Sequence, residues 1–113
     1  MKLVTFVRPG GDPSGVPGVV LPGAGVIDLG RASELFRGLT MLDVVRRHEE
    51  LLPEARVLAA GDFSLPTGSL LREDEVRLLA PLPRPVSVRD GYAFRQHVET
   101  ARRNRGLPMI PEF

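Results

Sequence analysis

The sequence predicts an α+β fold in three parts. Residues 1–80 read as a small N-terminal mixed domain of short antiparallel strands and helices, residues 81–88 as a proline-rich linker, and residues 89–113 as the start of a second unit opened by a helix. Three observations carry this. Three short β-branched runs fall within the first 29 residues, helical periodicity takes over after Thr40, and Pro81, Pro83 and Pro85 place three prolines in five residues. A segment of that composition is stiff and extended, and it continues neither sheet nor helix.

Leu3 to Val7 is the first strand-like run, and Arg8-Pro9-Gly10-Gly11-Asp12-Pro13 ends it with turn residues. Val16 to Leu21 and Val26 to Leu29 flank Pro22-Gly23-Ala24-Gly25, which is a hairpin signal. Residues 3–29 thus predict a small antiparallel sheet. Ala32 to Phe36 predicts a single helical turn. Thr40-Met41-Leu42-Asp43 has the layout of a capping box, and Met41, Val44, Val45, His48, Leu51 and Leu52 then recur at helical spacing. Pro53 is expected to interrupt that helix and start a second through Ala60, closed by Gly61. Val76 to Ala80 predicts another strand. Asp90 to Asn104 predicts a long helix, with Ser87 or Asp90 as N-cap and Gly106 past its end. A helix of about fifteen residues set off by a proline linker needs a partner for its apolar face. It either folds back on the sheet or belongs to a longer protein.

Composition bounds the function. The 113 residues are 42% hydrophobic and 26% charged, which excludes wholesale disorder, and 12 Gly with 11 Pro argue for short elements joined by many turns. A net charge of +1 gives no overall electrostatic case for nucleic acid or an anionic membrane. Residues 84–113 are nonetheless the basic part, with six basic and three acidic groups against nine and eleven before them. With no cysteine there is no disulfide, thiol nucleophile or cysteine-ligated metal. The apolar runs are far shorter than a membrane span, and Met1-Lys2-Leu3-Val4-Thr5-Phe6 lacks the pattern of a signal peptide. The expectation is a soluble cytoplasmic protein.

Several motifs fail on inspection. Gly23-Ala24-Gly25 lacks the third glycine of a dinucleotide fingerprint and precedes a strand where a helix is required. Lys2 is the single lysine, so no phosphate-loop lysine exists, and Ser64 and Ser69 have no nucleophile-elbow context. Arg102, Arg103 and Arg105 form a basic cluster, read either as a nucleic-acid contact or as cations complementing a helix C-terminus. His48 falls on the apolar stripe of the first helix and reads as structural. His97 carries more. On a continuous helix Asp90 and His97 are seven residues apart, so they share a face to within about 20° and stand about 10 Å apart along the axis. That spacing suits two groups lining one cleft.

The eighteen residues Arg89-Asp90-Gly91-Tyr92-Ala93-Phe94-Arg95-Gln96-His97-Val98-Glu99-Thr100-Ala101-Arg102-Arg103-Asn104-Arg105-Gly106 closely resemble the segment that opens the catalytic domain in the fumarylacetoacetate hydrolase family. Leu79 to Pro85 resembles that family's lead-in, and Met1 to Phe6, Gly18-Val19-Val20 and Val26 to Leu29 resemble its beginning more loosely. The resemblance implies that residues 89–113 begin a truncated, mostly-β catalytic domain, and that the chain is the N-terminal portion of such an enzyme. It implies a metal-ligand role for Asp90, a general-base role for His97 and a substrate-lining role for Tyr92. A carboxylate is a suitable ligand for Mg2+ or Ca2+, and an imidazole near neutral pH takes a proton from water. The reaction implied is cleavage of a carbon–carbon bond in a 1,3-diketo acid such as an acylpyruvate, through a metal-bound enolate, in an intact homodimer of the kind that serves aromatic compound catabolism. Relatives using the same enolate include decarboxylases, isomerases and hydratases. The sequence departs from the family's pattern. The family's Glu-x-Glu metal ligands, further aspartate and catalytic lysine are expected beyond Phe113, Thr100 stands where a shorter branch has a glutamate partner for the histidine, and Gly91 stands where an aromatic residue is common. The competing expectation is a non-catalytic binding module or regulatory subunit of the same ancestry, with Phe94 and Val98 docking on a partner.

Overall fold

The computed structural model describes residues 1–61, 64–89, 91 and 94–111. Its centre is a meander of three strands, β1 (Leu3–Val7), β2 (Val16–Leu21) and β3 (Gly25–Asp28), each antiparallel to the next. β1 and β2 pair from Leu3 opposite Val19 to Phe6 opposite Val16, and β2 and β3 from Gly18 opposite Asp28 to Leu21 opposite Gly25. The hairpin between β2 and β3 closes with the Ala24 amide donating to the Leu21 carbonyl at 3.0 Å. The predicted meander is thus present, with β3 shifted one residue toward the N-terminus, so that Gly25 belongs to the strand and the turn shortens to residues 22–24. Asp28 leaves the strand to cap α1 (Leu29–Ala32), its carboxylate accepting from the Arg31 amide.

Two short strands complete the sheet. β4 (Leu70–Leu71) pairs antiparallel with β3, and β5 (Arg77–Leu78) pairs antiparallel with β1, giving the order β4-β3-β2-β1-β5. The sequence predicted β5 as a longer strand over 76–80 and did not predict β4. These two strands are close in sequence yet occupy opposite edges. Laid flat, five strands would put the edges about 19 Å apart. The link from Leu71 to Arg77 contains a 3-10 turn at Glu73–Glu75, and at about 2 Å per residue in the turn its reach falls to about 16 Å. The sheet therefore curls as a half-barrel.

Curling gives the sheet two unlike faces, and residue parity along each strand sorts the side chains between them. The inner face carries Val4, Phe6, Val26 and Leu71, with Val16, Val20 and Val76 packed against them. Gly18 lies on this face, and a Cβ there would meet the Phe6 ring at 2.7 Å and Val26 Cγ1 at 2.9 Å. The missing side chain makes room for the ring. The outer face presents Val19 and Ile27 to Leu29, Phe36, Met41, Val44, Leu51, Ala55 and Leu58, the buried side of the helices.

Those helices are α2 (Met41–Arg46) and α3 (His48–Ala60). The capping box at Thr40 and Asp43 forms as the sequence predicts, and Gly61 closes α3 in the left-handed conformation at φ 70°. The break between the helices is at Arg47 and not at Pro53, as expected from sequence. Glu50 and Leu51 both donate to the Arg47 carbonyl, so α3 is already running when Pro53 is reached. Pro53 then removes a single intrahelical bond on an exposed side of the helix. His48 is likewise off the apolar stripe, exposed with Nδ1 3.1 Å from the Val45 carbonyl oxygen.

At one rim of the sheet Arg8, just past β1, meets Asp28 at 2.6 Å, with side chains 17% and 5% exposed. The same guanidinium donates to the Gly68 carbonyl at 3.1 Å, and the Asp28 amide donates to the Ser69 carbonyl at 2.7 Å. The proline segment is fastened to the sheet before it departs. The Leu79 amide donates to Thr5 O at 2.9 Å, Thr5 Oγ1 donates to Pro81 O at 2.7 Å, and Leu82 packs against the outer core. Residues 83–89 are exposed and irregular, and lead to α4 (Arg95–Asn104). The radius of gyration is 19.1 Å, against about 13 Å for a compact chain of this length. Among the described residues no strand follows β5, and no helix is long and apolar enough to cross a membrane.

Two substitutions test this account. Gly18→Ala forces a methyl group into the Phe6 ring and is expected to destabilise the fold by about 1–3 kcal/mol, read as a lower urea midpoint. Asp28→Ala leaves Arg8 charged and half-enclosed and removes the α1 cap. Its expected cost is about 3 kcal/mol by the same measurement, and a loss under about 1 kcal/mol would show that the rim pair does not organise the sheet.

Candidate functional site

The residues singled out by sequence converge on α4 and the segment before it. The helix starts at Arg95, with Phe94 in an extended conformation at φ −122° and no side-chain cap. This corrects the expected helix from Asp90, and Ser87 is too far upstream to cap it. The shared face expected for Asp90 and His97 involves a residue outside the described ones. Asp90 and Tyr92 themselves lie outside the described residues.

α4 is held by local interactions. Arg95 Nε donates to Glu99 Oε1 at 2.9 Å across one turn, and Thr100 Oγ1 returns to the Gln96 carbonyl at 2.9 Å. Its C-terminus is a Schellman motif, as Gly106 in the sequence predicts. The Gly106 amide donates to Arg103 O at 3.0 Å and the Leu107 amide to Arg102 O at 2.9 Å, with Gly106 at φ 66°. His97 is exposed on the first turn, next to the fully buried Val98. Val98 is therefore not a surface that docks a partner, whereas Phe94 is exposed. Arg102 donates to the Pro108 carbonyl, and with Arg103 it occupies the last turn, where positive charge complements the helix dipole.

Among the described residues no three His, Asp or Glu side chains cluster to hold a metal ion. A hard cation such as Mg2+ requires an octahedral oxygen shell, and one carboxylate at Asp90 does not provide it.

A second region was not legible in the sequence. A cleft of about 520 Å³ opens between the 12–15 turn, the start of α2 and the 79–84 strap, with Asp12 and Arg84 among its lining residues. In the turn, Ser14 donates to Asp12 Oδ1 from its amide at 2.8 Å and its hydroxyl at 2.7 Å, which holds the Asp12 carboxyl below the usual range. Asp43 is lowered in the same way by the Thr40 amide and hydroxyl. The elements that build the cleft are 25 to 70 residues apart in sequence, so no local pattern announces it. Elsewhere Ser69 is fully buried, and its Oγ has no hydrogen-bond partner.

Comparison with protein-family models, with curated proteins and with solved structures finds no match to this chain.

The two lowered carboxylates give a pH prediction. A carboxyl whose folded pKa lies below its unfolded value of about 3.9 contributes stability that is complete above that value and is lost as pH falls through the lower one. Stability is thus expected to fall on acidification below about pH 4, and Asp43→Asn should flatten part of that fall. Urea midpoints at pH 3 and pH 7 for both proteins measure it. An unchanged slope in Asp43→Asn would place the acid sensitivity elsewhere.

Proposed function

We propose that the chain supplies the small N-terminal domain and the opening helix of a hydrolase of the fumarylacetoacetate hydrolase type. Its reaction is cleavage of a carbon–carbon bond in a 1,3-diketo acid. The observation that carries the reading is the eighteen-residue block from Arg89 to Gly106, supported by the form that block takes: a short helix closed at Gly106 with His97 exposed on its first turn. In that role the imidazole accepts a proton from water. The hydroxide adds to the substrate carbonyl, the adjacent carbon–carbon bond breaks, and its electron pair leaves with the enolate, which is protonated to release the ketone or keto acid. The resemblance gives Asp90 one position in a Mg2+ or Ca2+ shell and Tyr92 a place against the substrate. No further cluster of ligands for that shell is present among the described residues, so no step is routed through the metal.

A second reading has its own observation. Val86, Val88 and Phe94 are 75%, 86% and 76% exposed along the approach to α4. Such a run suits a non-catalytic module that docks on a separate subunit.

The test is made on the polypeptide as it occurs in its cell. Intact mass is measured first, then acylpyruvate hydrolysis with magnesium. The expected result is a mass above 12.4 kDa and turnover that His97→Ala lowers by about 10²- to 10⁴-fold. His48→Ala should leave the rate unchanged, and circular dichroism should match for all three proteins. Full activity in His97→Ala would refute the assignment of the base. A mass of 12.4 kDa with no turnover would overturn the hydrolase reading.

A further inference from the structure

The cleft between the 12–15 turn and the 79–84 strap is separate from α4 and plays no part in the proposed hydrolysis. Its volume of about 520 Å³ lies within the range of small-molecule sites. Leu42, Leu79 and Leu82 line it and are only half-buried, so apolar surface is left for an occupant. The floor is firm. Thr5 is buried and tied to the strap through Pro81, and Met41 is 5% exposed.

Two opposite charges stand on its rim. The Arg84 guanidinium has no hydrogen-bond or ion-pair partner among the described residues. Asp12 has both bonds from Ser14 on Oδ1, so Oδ2 is open, and the same bonds keep the carboxylate ionised. The two are not paired with each other. An anion alone would meet Asp12 and a cation alone would meet Arg84, each at a cost. A molecule carrying one charge of each sign and an apolar body between or beside them satisfies the rim and the leucines together.

We propose that this cleft binds a small zwitterion with an apolar body, of the class of short apolar peptides. The carboxylate lies on Arg84, the ammonium on Asp12 Oδ2, and the side chains on Leu42, Leu79 and Leu82.

The probe is the dipeptide Leu-Leu, titrated into the uniformly 15N-labelled protein and followed by amide chemical shifts. Saturable shifts are expected at Thr5, Gly15, Met41, Leu79 and Leu82, while the α4 amides stay in place. N-acetylation and C-amidation of the dipeptide should each weaken binding about tenfold, the scale of one hydrogen bond to a charged group. The variants then separate the two contacts. Arg84→Gln should abolish the penalty for amidation and keep that for acetylation, and Asp12→Asn should do the reverse. Arg84 and Asp12 are both exposed, and matching spectra away from the cleft verify that the variants fold. No saturable shift up to 10 mM, roughly the weakest affinity worth recognising, would overturn the proposal. So would equal binding of the free, acetylated and amidated forms, which would mean an apolar surface without charge recognition. Neither result bears on His97, whose test reads turnover.

Discussion

Five residues, from Arg72 to Val76, tie together strands on opposite edges of the sheet, and that tether constrains the rest of the domain. A flat five-stranded sheet would put its edges beyond the reach of a link that spends three residues in a 3-10 turn. Curling is the way to satisfy it, and it does the work of a second layer. The inner face closes around Phe6, Val26 and Leu71 without a helix to cover it, and Val76 at the end of the tether contributes to the same cluster. The helices are then free to pack on the outer face alone. Gly18 and Gly25 follow from the same geometry. The first leaves room for the Phe6 ring, and the second brings the β3 backbone so near Leu71 O that a Cβ would lie 2.1 Å from it.

The rim pair of Arg8 and Asp28 works within that curl. β1 and β3 run in the same direction on either side of β2, so the residue after one strand and the last residue of the other emerge at one end. A buried ion pair gains little net free energy over an apolar pair of similar shape, because both ions lose water. Its value here is in position. Asp28 accepts from Arg8 and from the Arg31 amide while its own amide donates to Ser69, and Arg8 also reaches Gly68. One contact thus fixes the end of the meander, the start of α1 and the loop that leads into β4. A one-residue slip of β3 would leave the carboxylate unpaired on the wrong face, which penalises the alternative register strongly.

The parts of the fold legible in sequence are those decided by neighbours along the chain. The β-branched runs of β1 and β2, the hairpin after Leu21, the Thr40 box, and the left-handed glycines at 61 and 106 all depend on a few adjacent residues. What was not legible depends on distant ones. Leu70 and Leu71 become a strand because β3 has an open edge beside them, and nothing in Ser69-Leu70-Leu71-Arg72 states that. Pro53 looks like a helix boundary, but the packing of Leu51, Ala55 and Leu58 on the sheet carries α3 through it and moves the break to Arg47. The α4 start was misplaced because Ser87 and Asp90 are good caps by type, whereas the chain enters the helix at Phe94 without one. His97 is singled out by resemblance and spacing alone. No local pattern marks the cleft, because its walls come from three separated stretches.

α4 carries local supports of its own around His97. The strap is fastened at Leu79, Pro81 and Leu82, and beyond that point the described residues are exposed until Val98. A helix of ten residues is marginal in water on propensity alone. The Arg95–Glu99 pair, the Schellman closure and the arginines of the last turn supply local support of a few tenths to about 1 kcal/mol each. The role proposed for His97 requires a base held to within a fraction of an ångström, and Val86, Val88 and Phe94 are exposed apolar residues that precede it in the chain. Both proposed readings therefore turn on one physical feature, the exposed apolar run of Val86, Val88 and Phe94 ahead of α4.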